Sequence, residues 1–440
     1  MFRCTMGNPS RMKLSTRNGT RSLTVWQVGT PVFLLLFLAA HEIRSVPPET
    51  VFWAAPAILL AAMLIAWAAE SAQFFIAQGF ALAILAWLQT LPEFAVEAVL
   101  AWRQQVPLLL ANLTGALRLL TGLGWPMIYF TAAIFYRMKY KKRLERIRLA
   151  DEHCVEVVGL LVPLLYVGWV WWKSSLDLID AAILILIYAA YLVVLGKMPP
   201  QEEEGIEDLE MIPRAIVKSP RSWRIAIICL LFAGGGVCIY YAAEPFLGSL
   251  LAVSLMLGVP SFVFVQWVAP FVSEFPEKVS AFYWARSIDG APMALMNMVS
   301  SNINQWTLLA AMLPIVFSIS AGVPSTIPFD EQQRLEILMT LGQSLVGMAF
   351  LLNMELVWWE AASLFALWGI QFVFSPIPPG QGVLGFIATH IHAWVTYVYL
   401  AWAAVEVIRM IAKGRAPEAF RRFAEVWRTH VRPQHVASAR

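Results

Sequence analysis

Apolar residues run along this chain in long, nearly continuous blocks rather than in alternation. The stretches 51–69 and 225–243 are examples, with no charged residue in either. A helix needs about 20 apolar residues to cross the hydrocarbon core of a bilayer, whereas the strands of a membrane barrel alternate apolar and polar over about 10. The blocks therefore predict transmembrane helices near 25–41, 51–80, 83–103, 106–136, 154–172, 177–196, 224–257, 261–286, 291–319, 335–355, 357–375 and 385–411. Proline and glycine interrupt many of them, which a membrane helix tolerates when its neighbours re-satisfy the backbone.

Composition narrows the class further. Of 440 residues, 59% are hydrophobic and 14% are charged, with a mean hydropathy of +0.65. A soluble domain averages about 45–50% apolar and about 25% charged. A soluble enzyme, a disordered chain, a coiled coil and a collagen are all excluded. The fold class that remains is an all-α polytopic membrane protein of about twelve spans. Four cysteines without paired spacing (Cys4, Cys154, Cys229, Cys238) indicate neither a disulfide framework nor a zinc site. The first apolar run reads as a retained span rather than a cleaved signal.

The polar connections suggest an orientation. The segment 1–24 carries Arg3, Arg11, Lys13, Arg17 and Arg21 and no acid. Arg137, Lys139, Lys141, Lys142, Arg143, Arg146 and Arg148 follow the span at 106–136, and the tail 412–440 is rich in arginine. Basic loops stay in the cytoplasm. Counting spans from a cytoplasmic N-terminus places the 137–152 loop, the 198–223 loop with Glu202, Glu203 and Glu204, and the tail inside as well.

The 198–223 loop divides the chain into halves that share three anchors. Ala68-Ala69-Glu70 recurs as Ala242-Ala243-Glu244, Leu91-Pro92-Glu93 as Phe275-Pro276-Glu277, and the segment around Asn112 as that around Asn297. The expected domains are the basic segment 1–24, an extra helix and loop at 25–50, a first repeat at 51–197, the loop 198–223, a second repeat at 224–375, an extra helix at 385–411 and the tail. Five spans per repeat, an odd number, would insert the second copy upside down, an architecture that recurs in secondary transporters with a midplane site.

The chemistry concentrates at the Pro-Glu pairs. Proline removes a backbone N–H and breaks the helical ladder. Glu93 and Glu97 are one turn apart and face the same way, and an ionisable group at membrane depth costs at least about 2.5–3.5 kcal/mol. In the second half Glu274 and Lys278 are spaced to pair. Two readings compete. The carboxylates are structural glue, paired with Arg118, Lys278 or backbone, or they form a cation site of hard oxygen ligands. Recurrence at matching positions favours the site, since glue has no reason to repeat.

These residues resemble the cation/calcium antiporter superfamily, which includes the sodium/calcium exchangers. Each inverted repeat there carries a Gly-Thr-Ser-x-Pro-Glu helix break and then a Gly-Ser-Asn helix. The first copy here is Leu88-Gln89-Thr90-Leu91-Pro92-Glu93, then Gly115-Ala116-Leu117; the second is Val272-Ser273-Glu274-Phe275-Pro276-Glu277, then Ser300-Ser301-Asn302. The resemblance spans roughly 51–200 and 224–375, and it implies two inverted five-helix repeats with an extra helix at each end. It also implies that Glu93 and Glu277 give oxygens to sodium or calcium. The preceding hydroxyl positions fall on Gln89, Thr90, Ser273 and Glu274, the following serine on Ala116 and Ser301, and a later polar position on Leu120 and Gln305. Ala116 and Leu120 depart by losing oxygens; Glu97 and Glu274 add carboxylates, and Arg118 and Lys278 add charge-balancing cations.

The expected function is a secondary active cation antiporter, sodium/calcium-type or proton-coupled, with Glu93, Glu277, Glu97, Glu274, Thr90, Gln89, Ser273, Ser301, Asn302 and Gln305 around the site. Its partners are the lipid bilayer and inorganic cations, with no nucleic acid and no cofactor beyond a transported calcium, sodium or proton. One alternative is an exchanger fold that has lost antiport and moves another solute or acts as a sensor or scaffold, motivated by Arg118 and Lys278. The other is a membrane enzyme using the carboxylates as acid and base, without a nucleophile beside them. Outside the site, His390 and His392 read as helix-face histidines rather than a proton relay. Asp177 and Asp180 read as helix caps, and Glu355 and Glu360 as part of an interfacial turn.

Overall fold

The computed structural model describes residues 45–75, 81–198, 209–377, 380 and 382–431. The segment 1–24, the span expected near 25–41, residues 199–208 of the central loop and residues 432–440 of the tail lie outside the described residues.

Helix α1 (Val51–Ala72) leads to two short helices, α2 (Ala81–Gln89) and α3 (Leu91–Trp102). Next come α4 (Val106–Leu119), a π-helical turn at Leu120–Gly124, and α5 (Trp125–Tyr140). Strand β1 (Arg146–Arg148), helices α6 (Cys154–Gly159) and α7 (Leu161–Lys173), strand β2 (Ser175–Leu176) and α8 (Leu178–Leu195) complete the first half. After a short α9 (Met211–Lys218) the same order returns. A long α10 (Arg221–Leu257) is followed by the short α11 (Ser261–Ser273) and α12 (Phe275–Ala285), then α13 (Gly290–Asn304), a π turn at Gln305–Leu309 and α14 (Ala310–Ala321). Strand β3 (Ile327–Pro328), α15 (Glu331–Leu351), β4 (Glu355–Val357) and α16 (Trp358–Phe374) follow, with α17 (Val383–Lys413) and α18 (Glu418–Val426) at the end.

Among the described residues eight helical stretches, counted through the π turns, are long and apolar enough to cross a membrane. Three further expected spans differ for physical reasons. Those at 83–103 and 261–286 are each divided in two by a break before a proline, and α16 has 17 residues. The two short antiparallel pairs, β1 with β4 and β2 with β3, were not expected from the sequence. At two or three residues each they carry no alternation to read. The tail is not featureless either: the Ala419 N–H of α18 donates to the Leu352 carbonyl, and Arg422 pairs with Asp151.

Large apolar side chains face outward, and a set of polar side chains is buried within an apolar core. Leu230, Tyr241 and Leu255 on α10 and Leu186 and Val193 on α8 are exposed, which suits side chains facing lipid. At the centre Glu93, Glu97, Asn112, Arg118, Gln266, Asn297, Asn302 and Gln305 are buried. The expected caps are present: Asp177 accepts from the Ile179 and Asp180 N–H groups, and Asp180 accepts from the Asp177 N–H; Asp330 and Gln333, not expected as caps, close a second reciprocal box. Glu360 accepts from the Val357 N–H at the turn into α16.

Candidate functional site

Proline decides where the two short-helix pairs break. Pro92 and Pro276 stand in the first turns of α3 and α12, where a missing N–H is tolerated. Each leaves the carbonyl four residues earlier, Leu88 or Val272, without its helical donor. The interruption is one residue wide, at Thr90 and at Glu274. Both Pro-Glu pairs are thereby held at helix starts inside the protein.

Around the first break, Glu93 accepts hydrogen bonds from Asn112 Nδ2 on α4 and from Ser273 Oγ on α11. Asn112 Nδ2 also reaches Glu97 Oε1 at 3.3 Å. Gln89 Oε1 accepts from Asn297 Nδ2 at 3.1 Å, and Thr90 Oγ1 accepts from Asn304 Nδ2 at 2.6 Å. Around the second break, Glu277 accepts a hydrogen bond from Ser301 Oγ. Glu274 binds Lys278 Nζ and Gln305 Nε2, both at 2.6 Å. Ser273 and Glu274 are neighbours in sequence, so one bridges to Glu93 while the other meets Gln305.

The cluster is rich in oxygen that no donor reaches. Glu97 Oε2, Glu277 Oε2, Asn112 Oδ1, Asn297 Oδ1, Asn304 Oδ1 and Gln305 Oε1 are buried without a hydrogen-bond partner. Such groups are costly in a dry interior unless something else meets them. Among the described residues no three His, Cys, Asp or Glu side chains gather closely enough to hold a metal ion by themselves.

Nine of the expected site residues take part in this set of bonds: Gln89, Thr90, Glu93, Glu97, Ser273, Glu274, Glu277, Ser301 and Gln305. Lys278 belongs to it as the partner of Glu274. Asn302 points elsewhere, accepting from Thr121 Oγ1 at 3.4 Å and donating to the Met298 carbonyl. Arg118 belongs to a separate network, with Glu336 at 2.7 Å and Gln371 at 3.1 Å. Sequence reasoning missed Asn304 and Glu336, and used Asn112 and Asn297 only as anchors. The signal for Glu336 was a carboxylate at the start of an apolar span.

Residues 50–197 and 227–376 match the family model described as sodium/calcium exchanger protein. The chain belongs to that family. It is accordingly a multi-pass membrane cation exchanger working by antiport, and not an enzyme. The exchanger is similar to the crystal structure of the H+/Ca2+ exchanger CAX, with 29% identity over 91% of this chain and 95% of that one, and a TM-score of 0.76. The native YfkE structure shares the fold at a TM-score of 0.51, with 16% identity over 79% of this chain and 96% of that one. A structure of the sodium-calcium exchanger NCX_Mj aligns with 19% identity over 74% of this chain and 97% of that one, at a TM-score of 0.48. No curated protein matches the sequence.

Proposed function

We propose that this exchanger moves calcium in antiport against protons, at a site formed by Glu93, Glu277 and the amide and hydroxyl groups around them. The observation that carries this reading is the set of buried, donor-free oxygens that surrounds the two Pro-Glu breaks. Calcium takes about 6–8 oxygen ligands. Two carboxylates, the Asn112, Asn297, Asn304 and Gln305 amides and the carbonyls freed by proline are oxygens of the required hardness. Lys278 neutralises Glu274, leaving Glu277 as the carboxylate of its half whose second oxygen is free for a cation.

Protons are favoured as the counter-ion because a departing divalent cation leaves uncompensated carboxylates in a low-dielectric interior, and protons restore neutrality there. The likeness to the H+/Ca2+ exchanger CAX points the same way. Arg118 no longer argues for lost antiport, since its charge is met by Glu336 away from the cluster. Calcium uptake into proteoliposomes tests the coupling. An outward proton gradient is expected to drive accumulation that collapses with a protonophore, and a sodium gradient of equal size is expected to drive none. Accumulation driven by sodium alone would assign the other coupling.

The architecture is read as two inverted five-helix repeats with α17 added. The recurring element order and the two five-residue π turns support it. So does the strand pairing. Helices α6 and α7 lead from β1 to β2, and α15 leads from β3 to β4, yet β1 pairs with β4 and β2 with β3. The segment entering one helix therefore lies beside the segment leaving its counterpart, so the two run in opposite directions. Cytoplasmic placement of the termini and of the 137–152 loop is read from their basic residues and that of the 198–223 loop from the count of spans, and the Arg422–Asp151 pair supports a common side for the tail and the 137–152 loop. Cysteines introduced into those segments should stay unlabelled by an impermeant reagent outside the cell; labelling of any one would reverse the orientation.

A further inference from the structure

A second buried polar cluster lies apart from the oxygens around the Pro-Glu breaks. Its centre is Glu336 on α15, 2% exposed. One carboxylate oxygen accepts from Arg118 Nη1 on α4 at 2.7 Å and from Gln266 Nε2 on α11 at 2.9 Å. The other meets His392 Nδ1 on α17, whose second ring nitrogen lies 2.9 Å from Ser375 Oγ. Arg118 is further fixed by the Thr114 carbonyl at 3.1 Å and lies 5.1 Å over the Trp267 ring. One side chain thus ties together three helices distant in sequence.

Two of those helices carry the donors that hold Glu93. Asn112 precedes Arg118 on α4, and Ser273 follows Gln266 on α11 by about two turns. The helices meet backbone to backbone between these points: a β-carbon on Gly115 would lie 1.8 Å from the Gln266 carbonyl oxygen. A small shift of α4 along or around α11 would move Asn112 and Ser273 off Glu93 together. Glu277 is held instead by Ser301 of α13, which the Glu336 cluster does not touch. A buried ion pair adds little net stability against an apolar pair of the same size, but it accepts only one geometry.

We propose that Glu336 is a positioning residue for exchange: through Arg118 and Gln266 it sets the α4–α11 register that presents Asn112 and Ser273 to Glu93, and through His392 it makes α17 part of that lock. Helix α17 lies beyond the last residue of the family match, so the third arm reaches outside the two matched segments. The inference rests on the reading of Glu93 as a cation ligand.

Calcium uptake kinetics in proteoliposomes test it. Glu336→Gln is expected to raise the calcium KM about tenfold. Combined with Asn112→Ala the effects should be less than multiplicative, because both act on the same ligand, whereas combined with Ser301→Ala they should multiply. His392→Gln, which leaves the Arg118–Glu336 pair whole, should raise KM about threefold with the same pattern. If Glu336→Gln fails to fold, Arg118→Met with Glu336→Met removes both charges and restores thermal stability, yet KM should stay raised. A wild-type KM in that stable double variant, or effects that multiply with both partners alike, would overturn the positioning role. Glu93→Gln in the same assay separates the two readings. Loss of uptake there with multiplicative cycles removes only the lock, while wild-type uptake removes both.

Discussion

Glu93→Gln and Glu277→Gln are each expected to abolish calcium exchange while the protein still inserts and folds. Glutamine keeps the side chain's shape and one carbonyl oxygen: at position 277 that oxygen still accepts from Ser301, and at position 93 it still accepts from Asn112 while the new amide N–H2 donates to Ser273 Oγ, whose hydroxyl turns from donor to acceptor. What disappears is the negative charge that balances the cation and the group that carries the returning proton. Removing one member of a desolvated charge pair costs about 3 kcal/mol or more, which is a loss of roughly a hundredfold or more in rate. Flux in proteoliposomes reads the loss, and an unchanged elution profile and melting temperature show that the fold survives. Wild-type flux in both variants would return the carboxylates to the role of structural glue.

The second large effect is expected at Gly115. The α4 and α11 backbones are so close there that even alanine places its β-carbon inside the Gln266 carbonyl. Close approach through small residues is how helices pack without a hydrophobic driving force between them. Forcing extra volume into packed structure costs about 1–3 kcal/mol, and more where only backbone can yield. Gly115→Leu should therefore lower the melting temperature and eliminate uptake, because the separation of α4 from α11 withdraws Asn112 and Ser273 from Glu93. Gly234→Ala and Gly236→Ala on α10 serve as controls, since a β-carbon at either meets no atom within 4 Å, and both should transport normally.

Much of this was legible in the sequence, for identifiable reasons. Hydropathy and length give a helix its existence, so the spans at 106–136, 177–196 and 224–257 reappear as α4 with α5, α8 and α10. Proline before glutamate marks a break because its consequence is local, and Glu93 and Glu97 share Asn112 because residues one turn apart share a face. Azimuth was harder to read. Arg118 lies six residues beyond Asn112, which turns its side chain roughly 120° away around α4, toward Glu336 rather than Glu93. Asn302 is one residue past Ser301 and so faces Thr121 while Ser301 faces Glu277. Pairings such as Gln89 with Asn297, Thr90 with Asn304 and Glu336 with His392 join separate helices, and nothing local in the chain announces them.

The account turns on one location, the proposed calcium site at the two Pro-Glu breaks. Crystals of the exchanger grown with calcium, with diffraction data collected for calcium's anomalous signal, test it most directly. The predicted result is a single strong peak in contact with carboxylate oxygens of both Glu93 and Glu277, at roughly the 2.3–2.6 Å of calcium–oxygen coordination. A peak confined to any other site, or none at these two glutamates in a preparation that transports calcium, would contradict the assignment.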